Sequence, residues 1–151
     1  MSICVDLCVK RKQVSSNMPW SSLRIMMYGT TRHGIKNLLF HGFAAMKKFK
    51  SDLGLGFYCT TNLDMAMQHS SQQNVGDTDY HVIIVAVLCG EIVHGPRNIM
   101  DFGHTERGVR IEVGVDNAEE LFCVANWGQI LPLYYVKLQK IEDMQKDLGI
   151  A

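Results

Sequence analysis

Short apolar runs, separated by glycine, asparagine and charged residues, dominate the pattern of this chain. Runs of this length that are rich in valine and isoleucine are typical of β-strands. The run at residues 81–93 is almost continuously apolar, which predicts a central strand covered on both faces. The run at 109–113 alternates apolar and polar residues, as an edge strand does. Further strands are predicted at residues 24–28, 54–61, 121–125 and 133–138.

Two segments instead repeat apolar residues at helical spacing. The first helix is predicted to begin after Thr30 or Thr31, either of which can cap it, and to end at Gly42. The second is predicted to begin at Asn62, which can cap it in the same way. The apolar face of this second helix is predicted to consist of Leu63, Ala66 and Met67.

The order of these elements predicts an α+β fold, because the strands crowd into the second half instead of alternating with helices. The 151 residues suffice for one domain with a substantial core. We divide the chain into an irregular lead-in (1–22), a folded domain (23–139) and a short polar helical tail (140–151). The lead-in contains one short apolar run at 3–9 that suits a strand.

The charge balance offers no general attraction for nucleic acid or for an anionic membrane. Apolar residues make up 47% of the chain, charged residues 20%, and the formal net charge is zero. Lys47, Lys48 and Lys50 form a local basic cluster that we assign to a solvated loop. No apolar run is long enough to span a bilayer, and the N-terminus lacks the charge order of a secretory signal.

The five cysteines indicate a reduced protein inside the cell. Cys59, Cys89 and Cys123 lie in strand-like apolar runs, where a buried free thiol is the usual state. Cys4 and Cys8 have no nearby histidine, so the sequence predicts no metal site. The predicted location is therefore the cytoplasm or nucleus.

Four segments carry motifs in a fixed order along the chain. They are MYGTTRHGIKNLLFHGF, GLGFYCTTNLDMA, HVIIVAVLCGEIVHG and GVDNAEELFCVANWGQILPLYYVKL. In this order and with these gaps they resemble the catalytic domain of poly(ADP-ribose) polymerase (PARP)-type ADP-ribosyltransferases, over residues 23–138. The resemblance implies a split, mostly antiparallel sheet with short helices around a cleft for NAD.

The family removes nicotinamide from NAD and transfers the ADP-ribose, using a histidine, a tyrosine and a glutamate around the reacting ribose. By resemblance, Tyr58 is the tyrosine that stacks on nicotinamide, although its local sequence alone also fits a core aromatic. Tyr28 stands at the histidine position and Leu121 at the glutamate position. His41 offers a real histidine, but its spacing from Tyr58 does not match the family. The resemblance implies that Tyr28, Tyr58 and Leu121 surround one cleft, and that Tyr28→His leaves NAD binding equal or improved.

Further residues are assigned to the NAD site by the same resemblance. Gly29 corresponds to the glycine whose backbone holds the carboxamide, with Thr30 beside it, and Gly56 lies in the Gly-x-Gly-x-Tyr segment. Met65 and Gln68 stand where the family has a carboxamide-binding serine and a second stacking tyrosine.

The residues around Leu121 limit the product. An aliphatic residue there is what the mono-ADP-ribosylating branch of the family shows, so the resemblance implies no polymer. Glu119 and Glu120 are nearby. Glu119 reaches the site if the strand extends that far; the other interpretation is that both are solvated loop acids.

Two hypotheses of different class follow. The leading one is an NAD-dependent mono-ADP-ribosyltransferase that modifies a macromolecular acceptor, with NAD as its substrate. The alternative is a catalytically inactive member of the fold that binds a protein partner. A transferase acting on RNA or DNA lacks the basic face that it would need.

Overall fold

Eight strands and two α-helices form the part of the chain that the structure describes. The computed structural model describes residues 22–73, 79–139 and 148–149. The strands are β1 (Leu23–Thr30), β2 (Phe49–Ser51), β3 (Gly54–Thr60), β4 (Asp79–Leu88), β5 (Ile92–His94), β6 (Val113–Val115), β7 (Leu121–Val124) and β8 (Ile130–Gln139). The helices are α1 (Arg32–His41) and α2 (Leu63–Gln73). The elements predicted at 3–9 and in the 140–151 tail lie outside the described residues.

The sheet follows the order β5-β6-β7-β3-β1-β4-β8, and β2 pairs beside β3. All of these pairs are antiparallel except β5 with β6, which is parallel. The predicted α+β class and mostly antiparallel sheet are therefore confirmed.

The sheet splits between β1 and β3. β1 pairs with β4 from Leu23–Leu88 through to Thr30–His81. The pairing of β1 with β3, by contrast, is at Met27–Thr60. Gly29 and Thr30 thus lie where β1 continues with β4 as it leaves β3, which is the split that the resemblance implied.

Side chains of the strands alternate between two faces, and each face has a core. We call them the α1 face and the α2 face, after the helix that packs on each. The α1 face buries the side chains of Met26, Tyr28, Phe57, Cys59, Ile83 and Phe122 against Ile35, Leu38 and Phe43. The α2 face buries Leu53, Tyr58, Ile99, Ile111, Leu121 and Cys123.

Helix α1 begins and ends where its capping residues predict. The Thr31 hydroxyl accepts a hydrogen bond from the Gly34 amide at 2.9 Å, which satisfies one free N–H of the first turn. Gly42 follows the helix at φ 71°, and its amide donates to the Leu38 carbonyl at 2.8 Å. Of the two threonines considered as caps, Thr31 is the one used.

Helix α2 confirms its predicted cap and part of its predicted face. The Asn62 side-chain oxygen accepts from the amides of Asp64 and Met65, at 2.9 and 3.3 Å. Of the predicted face, Ala66 is fully buried and Met67 is partly buried, but Leu63 is 44% exposed. Ser70, which was not predicted to face the sheet, is also buried. The apolar pattern missed Ser70 because a hydroxyl is buried there for its hydrogen bonds.

Those bonds fix α2 to the end of the sheet. The Ser70 hydroxyl donates to the Thr30 carbonyl at 2.7 Å and accepts from the His81 amide at 2.9 Å. Thr30 and His81 face each other as paired residues of β1 and β4. One side chain thus joins the helix to both strands.

Two predicted strands are wrong in part. The run at 81–93 is not one strand, because β4 ends at Leu88 and Gly90 turns the chain at φ 55°. The chain then enters β5, at the opposite edge of the sheet. The predicted edge strand 109–113 is also wrong: β6 begins at Val113 and lies between β5 and β7. Ile111 instead bonds through its amide to the Gly103 carbonyl at 3.0 Å.

Candidate functional site

The three positions taken from the family lie on neighbouring strands but not on one face. Tyr58 of β3 pairs with Cys123 of β7, and Leu121 pairs with Thr60, so the tyrosine and the leucine both point to the α2 face. Tyr28 of β1 belongs to the α1 face. The expectation that all three surround one cleft is therefore wrong, because the β1–β3 register places Tyr28 beside Cys59 instead of Tyr58.

Tyr28 is a core residue. Its side chain is 8% exposed, and its ring meets Phe43 edge-on at 5.2 Å between centroids. Burial, with a smaller contribution from Cys59, raises the pKa of the Tyr28 hydroxyl well above its usual range. The phenol therefore stays neutral and lies away from Tyr58.

The Tyr58 hydroxyl is used by its own hairpin. It accepts from the Leu53 amide at 3.0 Å and donates to the Gly54 carbonyl at 2.6 Å. The side chain is 4% exposed, and the Phe49 ring covers it edge-on at 6.2 Å. This geometry matches the core-aromatic interpretation of Tyr58, since neither its ring nor its hydroxyl is open to a ligand.

The acidic residues before Leu121 do not replace the missing glutamate. Strand β7 begins at Leu121, so Glu119 lies in the preceding turn, at φ 55°. Its carboxylate contacts His94 Nε2 at 2.7 Å, and both side chains are more than half exposed. Glu120 is also exposed. Glu119 and Glu120 are therefore solvated acids of the loop, which was the second of the two interpretations.

The backbone at Gly29 is covered by α2. A Cβ atom at Gly29 would overlap the carbonyl oxygen of Ala66, so the helix backbone lies directly on the strand. Thr30 is 2% exposed, and its carbonyl is the Ser70 partner already described. Sequence reasoning placed Ala66 on the apolar face of the helix but missed its contact with Gly29, and it missed Ser70 altogether. Two small residues one helical turn apart are a signal of close helix packing.

The remaining assigned positions have structural roles or face solvent. A Cβ at Gly56 would overlap Cys123 Sγ, which shows how closely β3 and β7 approach. Met65 packs in the α2-face core, and its sulfur lies 3.7 Å from the Thr60 hydroxyl. Gln68 is exposed. The helix face toward Gly29 is thus formed by Ala66, not by Gln68.

His41 is the last residue of α1 and is exposed. Helix α1 packs on the α1 face, whereas Tyr58 belongs to the α2 face. The structure therefore does not support His41, in place of Tyr28, as the counterpart of the family's histidine.

The thiols are buried as predicted. Cys59, Cys89 and Cys123 are free and buried. Burial raises the pKa of each, that of Cys123 to about 12. Within the described residues, no group of three or more histidine, cysteine, aspartate or glutamate side chains could hold a metal ion. None of the helices in that part of the chain has the length and apolar character needed to cross a membrane.

Comparison with solved structures identifies the fold. One similar structure is the PARP domain of Arabidopsis RADICAL-INDUCED CELL DEATH1, with a TM-score of 0.57 and 17% sequence identity. The match covers 78% of this chain and 67% of that one. The fold is that of a PARP-type ADP-ribosyltransferase. No protein-family model and no curated protein sequence matches the chain. In all, 243 chains of known structure match. At 17% identity the likeness shows the fold and not the chemistry.

Proposed function

We propose that this chain is a PARP-like domain that does not turn over NAD and acts by binding a protein partner. One observation carries the proposal: apart from the exposed Gln68, the positions assigned to NAD by resemblance are packed against other parts of the chain. Tyr58 and Leu121 are 4% and 8% exposed, and α2 lies on Gly29. Tyr28 belongs to the opposite face.

Opening this site has a cost that NAD must overcome. To expose the Tyr58 ring, Phe49 and the β2–β3 turn must move, which breaks both hydrogen bonds of the hydroxyl. Such losses cost about 1–3 kcal/mol for the buried polar groups and about 1 kcal/mol for the aromatic pair. Since 1.4 kcal/mol is about tenfold in affinity, opening weakens NAD binding by about a hundredfold.

Calorimetric titration of the full chain with NAD, up to about 5 mM, tests the proposal. We expect no binding heat, and no label transfer when the chain is incubated with labelled NAD and a mixture of acceptor proteins. An active PARP-type domain measured in parallel is the positive control. Label on the chain or on an added protein, above a heat-denatured sample, would refute the proposal.

A mono-ADP-ribosyltransferase is the second candidate, and the split in the sheet favours it. β1 leaves β3 after Met27–Thr60, with Gly29 just past that point and the Gly-x-Gly-x-Tyr segment on β3. Any product should be a single ADP-ribose, because Leu121 cannot accept a hydrogen bond from ribose or activate a hydroxyl. Long polymer on an automodification gel would exclude this candidate.

A further inference from the structure

Within residues 22–73 and 79–139, the elements packed on the α2 face cover only part of it. Beyond α2, its outer part is formed by β1, β4 and β8. Paired residues there form rows across the strands: Met27 with Ile84 and Tyr134, then Ile25 with Ala86 and Leu131. We call this region the open sheet surface. Four of its large side chains are exposed by 38–58%, namely Leu23, Ile25, Leu131 and Tyr134.

This surface is unusual in its chemistry. A sheet face in contact with water normally carries polar side chains, which alternate with the apolar residues of the buried face. Among the described residues of β1, β4 and β8, by contrast, no charged side chain points to the α2 face. An apolar patch of this size is often functional in a monomeric protein, and a partner for this one must offer an uncharged apolar stripe.

The position of α2 defines the shape of that partner. Helix α2 contacts Gly29 through Ala66 and the Thr30–His81 pair through Ser70. A second helix packed beside it has its axis about 8–10 Å away. At about 3.3 Å per strand residue, that axis falls between the Met27 row and the Ile25 row. Ala86, in the middle of the Ile25 row, leaves room for a close approach.

The size of the surface also fits one helix. Three strands spaced by about 4.8 Å, with their side chains, span roughly 15 Å, the length of about ten helical residues. The footprint is roughly 300 Å², well below the about 800 Å² that each partner buries in a stable interface between two copies. The dimensions therefore favour a single helix over a second copy of this chain.

We propose that the open sheet surface binds an amphipathic helix of a partner protein, about three turns long, alongside α2. Ile25, Leu131 and Tyr134 contact the apolar stripe of that helix. The inference rests on the proposed function, since it names the surface and the class of partner through which the domain acts. The surface itself lies outside the positions assigned to NAD.

The probe is a synthetic, fluorescently labelled peptide of roughly 14 residues with leucine at i, i+3, i+4, i+7 and i+11, and glutamate or lysine elsewhere. A peptide of the same composition in shuffled order is its control. We expect the striped peptide to bind the full chain by fluorescence anisotropy. The shuffled peptide should bind at least about tenfold more weakly. Radical footprinting should show that the striped peptide protects Tyr134.

Variants locate the binding. Ile25→Asp and Tyr134→Ala should each lower the affinity for the striped peptide by at least about tenfold. Phe40→Asp is the matched control, because Phe40 is 82% exposed on α1, and it should change nothing. Thermal melts followed by circular dichroism test whether each variant is folded at the temperature of the binding assay. Since Ile25 is 58% exposed and Tyr134 52% exposed, both variants should remain folded.

Several outcomes would overturn the inference. One is the absence of binding at about 1 mM peptide; another is binding that neither variant weakens. If sedimentation shows a dimer that Ile25→Asp dissociates, the occupant is a second copy. Tyr134 protected before any peptide is added would mean that the chain covers its own surface. NAD turnover with intact peptide binding would refute only the proposed function.

Discussion

Replacing Tyr58 by phenylalanine separates a structural tyrosine from a ligand-stacking one. The substitution keeps the aromatic ring and removes only the hydroxyl. That hydroxyl accepts from the Leu53 amide at 3.0 Å and donates to the Gly54 carbonyl at 2.6 Å. If the residue exists to stack on nicotinamide, the loss of the hydroxyl should have little effect on folding. If it exists to hold the β2–β3 turn, the domain should lose stability.

The expected loss follows from these contacts. Tyr58 is 4% exposed, so Tyr58→Phe leaves two buried backbone groups without their partner and without ready access to water. Such a change lowers the free energy of unfolding by about 1–3 kcal/mol. With an m-value of about 2 kcal/mol/M, a loss of about 2 kcal/mol moves the urea midpoint down by about 1 M.

The assay is urea unfolding followed by far-UV circular dichroism, with Tyr134→Phe as the matched control. Tyr134 is 52% exposed, so removal of its hydroxyl should shift the midpoint very little. If Tyr58→Phe and Tyr134→Phe unfold at the same urea concentration, the structural role of the Tyr58 hydroxyl is wrong.

Three further predictions concern β1 and helix α2. Tyr28→His puts a polar ring against Phe43 in the α1-face core and should cost about 2–4 kcal/mol by thermal melt, with no gain in NAD binding; tighter NAD binding would restore the original expectation. Gly29→Ala forces a Cβ onto the Ala66 carbonyl and should lower the melting temperature; an unchanged melt would contradict the close approach of α2. Burial lowers the pKa of His69, so between that pKa and about 6.5 the unfolded state binds more protons. The free energy of unfolding should therefore fall as the pH drops below about 6.5. Urea titrations at several pH values should show this dependence in the unchanged chain and lose it in His69→Gln.

The sequence predicted those elements whose ends depend on local chemistry. Thr31 and Gly42 mark the ends of α1, and Asn62 marks the start of α2, because each satisfies backbone groups within its own turn. Such bonds involve residues three or four positions apart, so one sequence is enough to find them. The strands at the centre of the sheet, β7, β3 and β1, were found from a local signal too, because each coincides with a short apolar run.

Features that depend on distant partners were not predictable in this way. Ser70 is buried because the Thr30 carbonyl and the His81 amide both need it, and neither lies close to it in sequence. The continuous run at 81–93 hides a turn at Gly90, since apolar residues continue through the turn. The face on which Tyr28 lies depends on the β1–β3 register, which no local pattern records.

The motifs that revealed the fold have packing reasons of their own, and this affects what they say about function. Gly29 admits the Ala66 carbonyl, Gly56 admits Cys123, and the Tyr58 hydroxyl bonds the backbone where the β2–β3 turn enters β3. A chain that keeps this architecture needs these residues whether or not NAD binds. At the positions of the histidine and the glutamate the chain has Tyr28 and Leu121, each buried in one of the two cores. The surviving motif therefore supports the fold, whereas the substituted positions are the reason for proposing that the domain does not turn over NAD.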